Sequence, residues 1–214
     1  MMKKVSRQLW LRIGLATGGV LLMAVSIAFF RQASFGVDPF QCMVNGIDNV
    51  LPLNYSVVNM TVNIVLLLPL LLLYRRYLGV STLANLFLLG YVVEFSEDVI
   101  VGIFGTPGMA LRIVFLLVGI VVTCFAAAMY FTADLGVTSY DGIPLHIADR
   151  KMKIFGRVVP FRAIRIATDL ICTVTGVALG AKAGAGTVIT ALFMGPLIAF
   201  FRSRVTDPFM ARHS

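Results

Sequence analysis

Hydrophobic residues occur in long runs separated by short polar stretches along the whole 214-residue chain. A helix that crosses a hydrocarbon core of about 30 Å needs roughly 20 mostly apolar residues. The runs that approach or exceed this length are Leu9–Phe30, Tyr55–Tyr74, Leu78–Phe95, Leu111–Phe131, Pro160–Gly180 and Gly184–Phe201. The pattern therefore predicts an all-α integral membrane protein with about six transmembrane helices.

Two further segments, residues 37–53 and 137–148, are partly apolar but are interrupted by polar residues and prolines. Each segment follows the first predicted helix of its half of the chain. Neither is long or apolar enough to span a bilayer, so both are predicted to be short interrupted or re-entrant segments. Irregular backbone at membrane depth is tolerated only where protein buries it or where it lines a cavity.

The chain also contains an internal repeat. Residues 33–40 align with residues 133–140 at a spacing of 100, and residues 79–82 align with residues 184–187 at a spacing of 105. The predicted units are residues 1–104 and 105–214, each with three spans and one short segment. Because three is odd, the second unit must enter from the opposite side, which predicts an inverted repeat of the kind found in secondary transporters. The alternative is that duplication is only an economical way to build a compact bundle.

Composition and charge agree with a membrane protein and exclude a soluble one. Apolar residues make up 59% of the chain and charged residues 13%, whereas soluble domains are about half apolar and a quarter charged. The net charge of +8 is explained by cytoplasmic anchoring, and no binding to nucleic acid is predicted. With six spans and a cytoplasmic N-terminus, 14 of the 18 basic residues lie inside: Lys3, Lys4, Arg7, Arg12, Arg75, Arg76, Arg150, Lys151, Lys153, Arg157, Arg162, Arg202, Arg204 and Arg212. This distribution predicts a multi-pass membrane protein with both termini in the cytoplasm.

Candidate binding residues follow the two turn glycines, Gly36 and Gly136. The pairs Asp38-Pro39 and Thr138-Ser139 occupy equivalent places, and these residue types favour the start of a helix. Free N–H groups at two such helix ends, together with Asp141, are expected to hold a polar or anionic ligand group. Ordinary helix capping is the alternative.

A second candidate is an ionic pair on the fifth predicted helix. Arg165 and Asp169 are four residues apart, so they share a face, and charges inside a membrane indicate function by default. The carboxylate is expected to carry a coupling proton, contact substrate or form an internal ion pair, while the arginine also has the option of extending to the interface. Asn59 and Asn63 repeat the spacing in the first half, which predicts a pathway between a polar and an ionic wall.

Enzyme chemistry has little support. The chain has two histidines, His146 and His213, and neither has a metal-ligand neighbour at useful spacing. The motifs of zinc proteases and of serine hydrolases are absent from the sequence. We therefore expect no enzyme activity, no cofactor and no metal site.

Several motifs together resemble the bacterial YczE/YitT-like integral membrane proteins. They are Leu135-Gly136 with Asp141-Gly142, Arg165-Ile166-Ala167-Thr168-Asp169, Gly184-Ala185-Gly186-Thr187-Val188 running to Gly195-Pro196-Leu197, and Phe35-Gly36-Val37-Asp38-Pro39-Phe40. The resemblance covers nearly the whole chain. It implies a bacterial inner-membrane protein of a family regarded broadly as transporters without a settled substrate, and it supplies no catalytic residue.

The sequence thus predicts a secondary transporter that moves a small polar or anionic solute by alternating access. Its site is expected near the midplane, between the two glycine turns and the fifth helix. The expected partners are membrane lipid and the solute, with proton coupling and a homodimer left open. The rival prediction is a scaffold or accessory subunit that transports nothing. A transporter should have a polar cavity that reaches Asp38, Thr138, Arg165 and Asp169, whereas a scaffold should have these groups sealed against one another.

Overall fold

The protein is described here by a computed structural model for residues 2–51, 53–73, 79–136, 138–149, 153–154, 157–158 and 161–213. Its elements, in chain order, are α1 (Met2–Ala33), α2 (Pro39–Val50), α3 (Tyr55–Leu73), α4 (Val80–Phe104), α5 (Met109–Ala133), α6 (Ser139–Asp149), β1 (Lys153–Ile154), β2 (Arg157–Val158), α7 (Phe161–Ala178), α8 (Ala185–Phe201) and α9 (Asp207–His213). A π-helical turn, Arg202–Thr206, joins α8 to α9.

The prediction of an all-α fold is confirmed, because the regular structure of the described residues is helical apart from the antiparallel two-residue strands β1 and β2. The described part of each predicted apolar run lies mainly in one helix, and the two short segments contain α2 and α6. The helix α4 extends nine residues beyond the predicted end at Phe95, through a polar stretch that an apolar pattern does not include. Some predicted features lie outside the described residues: Tyr74, Arg75, Arg76, Leu78, Val137, Arg150, Lys151 and Pro160.

Three helical stretches of the described chain are long and apolar enough to cross a membrane: Arg7–Ala33, Met109–Ala133 and Gly186–Arg212. A fourth span results if α2 and the first part of α3, Pro39–Val50 and Tyr55–Pro69, are counted together as one broken crossing with a bend of 120°. The chain is therefore a membrane protein with three or four spans by this measure. Six spans stay a prediction.

The helices α1 and α5 form the centre of the molecule and run antiparallel. Gly19 faces Met129, whereas Phe29, further along α1, packs against Phe115 near the start of α5, with ring centroids 5.4 Å apart. The close approach depends on small residues, since a Cβ atom on Gly19 would lie 2.8 Å from the Ala126 carbonyl oxygen. The segments that follow α1 and α5 consequently begin at opposite ends of this pair.

The remaining helices surround the central pair. α4 packs on α1 and α3, α8 packs on α5, α2 packs on α7, and α6 packs on both α3 and α7. Two glycines allow α2 and α7 to cross closely, because a Cβ atom on Gly46 would lie 2.6 Å from the Gly176 carbonyl oxygen. The short helices α2 and α6 are thus both held against α7.

The turn after α1 packs against the start of α8. Gly36 has φ +99°, a left-handed conformation that glycine adopts without steric cost. A Cβ atom on Gly36 would lie 2.6 Å from the Gly184 nitrogen. The Gly186 N–H donates to the Phe35 carbonyl over 2.9 Å, which fixes the turn to α8.

The turn after α5 makes the corresponding contact with the start of α4. Gly136 has φ +93°, and its Cβ position would lie 2.5 Å from the Gly79 nitrogen. The Ser81 N–H donates to the Leu135 carbonyl over 3.1 Å. Both turns therefore use glycine for the same two reasons, a positive φ and a tight backbone contact.

Large apolar side chains cover much of the outer surface. On α7 and α8 they include Leu170, Ile171, Val174, Leu192 and Phe193, each more than half exposed. Soluble monomers rarely expose a continuous apolar surface of this kind. A bilayer is the solvent that such a surface requires.

Candidate functional site

A cavity of about 700 Å³ lies among α1, α2 and α4 to α8. The charged residues that line it are Asp38, Asp141, Arg165, Asp169 and Arg202. Its other walls carry apolar and aromatic side chains together with a few amides and hydroxyls. This combination of an apolar lining with a few convergent polar groups is typical of a small-molecule site.

Arg165 is the centre of the charged group. Its Nε lies 3.3 Å from Asp169 Oδ1, one turn along α7, and its Nη1 forms a second ion pair with Asp141 Oδ1 on α6. Asp141 is 4% exposed and Asp169 is 7% exposed. The predicted ion pair is therefore formed, and a second carboxylate, distant in sequence, completes it. Because both carboxylates hold the guanidinium, the arginine does not extend away from the site toward an interface.

Two tyrosines hold the same carboxylates. The Tyr130 hydroxyl donates to Asp141 Oδ2, and the Tyr140 hydroxyl donates to Asp169 Oδ1. The Arg165 guanidinium also lies over the Tyr140 ring, 4.5 Å from its centroid. A buried polar network with all of its members paired is rigid, and an unpaired member is costly. The arrangement therefore presents fixed charges to the cavity.

The short helices α2 and α6 both begin at the cavity. Asp38 caps α2, since its Oδ1 accepts a hydrogen bond of 3.2 Å from the Gln41 N–H, and Pro39 is the first helical residue. Thr138 Oγ1 accepts from the Asp141 N–H over 3.2 Å at the start of α6. Asp38 and Thr138 thus show the helix capping that was the alternative to ligand binding at these positions. These helix ends thus satisfy part of their own N–H groups with resident side chains.

Six of the predicted site residues line the cavity: Asp38, Pro39, Thr138, Asp141, Arg165 and Asp169. The other five lie outside the lining: Gly36, Asn59, Asn63, Gly136 and Ser139. The two glycines shape the turns that place Asp38 and Thr138, and Ser139 is 1% exposed beneath the surface of the cavity.

Asn59 and Asn63 are buried in α3, which packs on α4 and α6. Asn63 Nδ2 donates to the Asn59 carbonyl over 2.8 Å, within the helix. The two amides share one helix face, as their spacing predicts, but they do not line the cavity opposite Arg165 and Asp169. Helical spacing determines which side chains share a face, whereas the packing of the helix determines what that face meets.

Several polar residues of the cavity lining were not identified from the sequence, among them Tyr130, Tyr140 and Asn85. A tyrosine or an asparagine within an apolar run needs a partner for its polar group, and this signal was available for Tyr130 and Asn85, which lie in predicted apolar runs. Asn85 lies on α4, is 4% exposed, and its Oδ1 has no hydrogen-bond partner among the described residues.

The cavity reaches the surface at the C-terminal end of α8. Arg202 lines the cavity and is 54% exposed, and its Nε lies 3.5 Å from Asp207. Thr132, at the end of α5, donates to the Asp207 carboxylate over 2.9 Å. This mouth therefore lies at the C-terminal end of α5.

The opposite end of the molecule carries a cluster of polar contacts at the C-terminal end of α1. Arg31 Nη1 lies 3.2 Å from Glu97 Oε2, and Gln32 donates to the same carboxylate over 3.2 Å. The Arg31 guanidinium covers the Tyr55 ring at 4.5 Å. Arg31, Gln32 and Glu97 do not belong to the cavity lining.

The described residues include no group of three or more histidine, cysteine, aspartate or glutamate side chains that could hold a metal ion. Cys42, Cys124 and Cys172 are buried as free thiols. Within the cavity, Arg165, Arg202 and the carboxylates are the charged groups that could recognise a charged ligand.

Comparison with known proteins places these features in a family. A family model described as a family of unknown function, DUF6198, matches residues 10–203. An uncharacterized protein of Haemophilus influenzae is 28% identical over 126 residues, which cover 58% of this chain and 53% of the relative. The match therefore spans about half the length of that curated relative. No solved structure shows a significant match, and the finer resemblance to YczE/YitT-like proteins stays a prediction.

Proposed function

The chain belongs to this family of unknown function, DUF6198, and we propose that it is a secondary transporter that moves a small polar solute across the bacterial inner membrane by alternating access. The observation that carries the proposal is the cavity of about 700 Å³ with a buried ionic network in its wall. The exposed Arg202 belongs to the cavity lining, and in this proposal the Arg31–Glu97 ion pair, which lies outside the lining, closes the opposite end. A site that is accessible from one end at a time is what alternating access requires.

The proposal includes an inverted repeat, and the glycine turns support it. Gly36 contacts Gly184, and Gly136 contacts Gly79. In the repeat, Gly36 is equivalent to Gly136 and Gly184 is equivalent to Gly79. The Gly136–Gly79 contact is therefore the same contact as Gly36–Gly184 with the two halves exchanged. A two-fold axis between the halves produces this relation, and the antiparallel packing of α1 and α5 agrees with it.

We further propose that α1, α3, α4, α5, α7 and α8 all cross the membrane. The apolar side chains exposed on α7 and α8 support this count, because they would otherwise face water. With both termini in the cytoplasm, the Arg202 end of the cavity faces inward. The protein is then described in its inward-facing form, and the YczE/YitT-like motifs agree with a transporter of this type.

The lining of the cavity favours a transporter over a scaffold. From the sequence, a transporter is expected to have a polar cavity that reaches four residues. All four contribute to the lining: Asp38, Thr138, Arg165 and Asp169. Arg165 and Asp169 are paired with each other, as they would also be in a scaffold, but a scaffold has no need of a cavity. Because three carboxylates line the cavity, we favour a polar solute over an anionic one.

Topology is tested with cysteines at two equivalent exposed positions. In a background in which Cys42, Cys124 and Cys172 are replaced by alanine, Ser34→Cys and Asp134→Cys are labelled on intact cells with a membrane-impermeant maleimide. We expect Ser34→Cys to react from outside and Asp134→Cys to react only after permeabilisation. Labelling of both positions from the same side would reject the inverted repeat.

Transport is tested on purified protein. A thermal-shift screen of metabolites identifies ligands, and each ligand is then examined for counterflow in proteoliposomes. We expect saturable counterflow that is lost in Arg165→Gln, provided that this variant elutes as a folded protein. A ligand that binds in the cavity without any counterflow would contradict the transporter and favour a binding or scaffold role.

A further inference from the structure

We infer that the cavity binds a small organic cation, an ammonium ion with a short hydrocarbon chain, next to Asp38. The inference deepens the proposed function and rests on it only for transport of the cation across the membrane. Binding of the cation does not depend on transport.

The first reason is the balance of charge in the cavity. Asp38, Asp141 and Asp169 line it together with one deep cation, Arg165. Arg165 already pairs with Asp141 and Asp169, and among the described residues Asp38 forms no ion pair. Asp38 is half-buried at the cavity, where an opposite charge attracts it more strongly than in bulk water. A cationic ligand supplies that charge, whereas an anion would be repelled.

The cation at the mouth of the cavity does not change this balance. Arg202 lies 3.5 Å from Asp207, so a carboxylate on the outer side already accompanies it. Its side chain is also half exposed, where solvent screens its field. The deep part of the cavity therefore keeps an excess of negative charge.

The two helix ends at the cavity are also occupied by resident groups. Asp38 accepts the Gln41 N–H at the start of α2, and Asp141 lies in the first turn of α6. The positive end of each helix dipole stabilises a nearby negative charge. Because each end already faces its own carboxylate, neither offers the free anion site that the sequence suggested.

Asn85 is an independent observation that indicates a ligand with donors. It comes from α4, a different helix from the carboxylates, and is 4% exposed. It lines the same cavity, and its Oδ1 has no hydrogen-bond partner among the described residues. A buried acceptor without a partner is costly. An ammonium group has three donors and no acceptor, so it could donate both to this oxygen and to the Asp38 carboxylate.

The rest of the wall suits a hydrocarbon chain. Phe40, Ile27 and Leu89 also line the cavity. Burial of a hydrocarbon chain against such side chains favours binding. The volume of about 700 Å³ is much larger than a metal ion needs. An alkyl or aryl ammonium ion uses both the acidic and the apolar parts of the lining.

The experiment uses the full chain in lipid nanodiscs and isothermal titration calorimetry. The probes are n-butylammonium, tetraethylammonium, n-butyrate and n-butanol, which vary the charge on small hydrocarbon groups. We expect at least one ammonium ion to bind, and to bind more tightly than n-butyrate and n-butanol. Asp38→Asn should weaken its binding at least tenfold, and Asn85→Leu should weaken it severalfold. Asp98→Asn removes an exposed carboxylate outside the cavity lining and should leave the affinity unchanged.

The inference is overturned if neither ammonium ion binds, if n-butyrate binds more tightly than both, or if Asp38→Asn retains the wild-type affinity. Should Asp38→Asn fail to fold, Asn85→Leu decides, and an unchanged affinity rejects the site. Counterflow in proteoliposomes separates the two proposals. An ammonium ion that binds without counterflow supports the site and contradicts transport, whereas Asp38-independent counterflow of n-butyrate supports transport and contradicts the cationic site.

Discussion

Phe40 and Tyr140, 100 residues apart in the sequence, stack on each other with ring centroids 5.0 Å apart and an interplanar angle of 24°. Each is the second residue of its short helix, so the contact brings the starts of α2 and α6 together at the cavity. The two rings differ in chemistry, because only Tyr140 has a hydroxyl, which binds Asp169. The two halves of the site are therefore joined by an aromatic contact but carry different polar groups.

The Tyr140 hydroxyl can be removed without removing the stacking. Tyr140→Phe should lower the free energy of unfolding by about 2 kcal/mol, since it deletes a hydrogen bond to a buried charged group. Denaturant titration in detergent measures the change. Tyr91→Phe is the matched control, because Tyr91 is 60% exposed on α4. Equal effects of the two substitutions would contradict the importance of the bond to Asp169.

Arg165 is expected to be the most sensitive charged residue of the site. Arg165→Gln should cost about 3 kcal/mol of unfolding free energy, because it leaves two buried carboxylates without their cation. Arg165→Lys should restore only part of this, since an ammonium cannot reproduce the forked geometry of a guanidinium. The same denaturant titration provides both values.

A double substitution examines the coupling within this ion pair. Arg165→Gln combined with Asp169→Asn should cost less than the sum of the two single substitutions, because the second change removes an unpaired charge. Lys182→Gln, at an exposed position, is the control and should lie within about 0.5 kcal/mol of the wild type. Strict additivity would mean that Arg165 and Asp169 do not interact.

The turn glycines should not tolerate a side chain. Gly36→Ala combines a positive φ, which costs an L residue about 1–2 kcal/mol, with a Cβ atom 2.6 Å from the Gly184 nitrogen. Gly136→Ala should be similarly harmful, because its environment is equivalent. Thermal unfolding of the purified variants compares them.

Gly102→Ala is the control for these turns. Gly102 lies in α4, where an added Cβ atom meets nothing within 4 Å. Alanine in a helix interior is favoured over glycine by roughly 0.5–1 kcal/mol, so this variant should be as stable as the wild type or more stable. If Gly36→Ala behaves like Gly102→Ala, the tight contact between the turn and α8 does not exist in solution.

The Arg31–Glu97 ion pair should control access from the closed end. The pair is about a quarter exposed, and such pairs contribute about 1 kcal/mol at most, which corresponds to a roughly fivefold change in population. The reporter is Ile27→Cys, a cavity position, in the background without native cysteines. Glu97→Gln should raise the rate at which this cysteine is labelled from outside by up to about fivefold. Asp98→Asn should leave the labelling rate unchanged. If Glu97→Gln also leaves it unchanged, the Arg31–Glu97 ion pair does not control access to the cavity.

Much of the local structure follows from the sequence. The apolar runs predict the long helices because roughly 20 apolar residues span a bilayer. Gly36, Asp38 and Pro39 predict a turn followed by a capped helix, and both occur. The pairing of Arg165 with Asp169 also follows, since two residues at a spacing of four meet on one face wherever the helix is packed.

The tertiary structure decided which of these local features meet. Asp141 reaches Arg165 from another helix, Asn85 enters the cavity from α4, and Asn59 and Asn63 turn out to lie away from it. Local rules act over a few residues along the backbone, whereas these contacts depend on how helices far apart in the chain pack. The sequence by itself thus determined the helices, their caps and the chemistry available on their faces. The packing of α1 against α5 and of the glycine turns against α4 and α8 decided which faces share a cavity, because close packing admits only certain arrangements of the same helices.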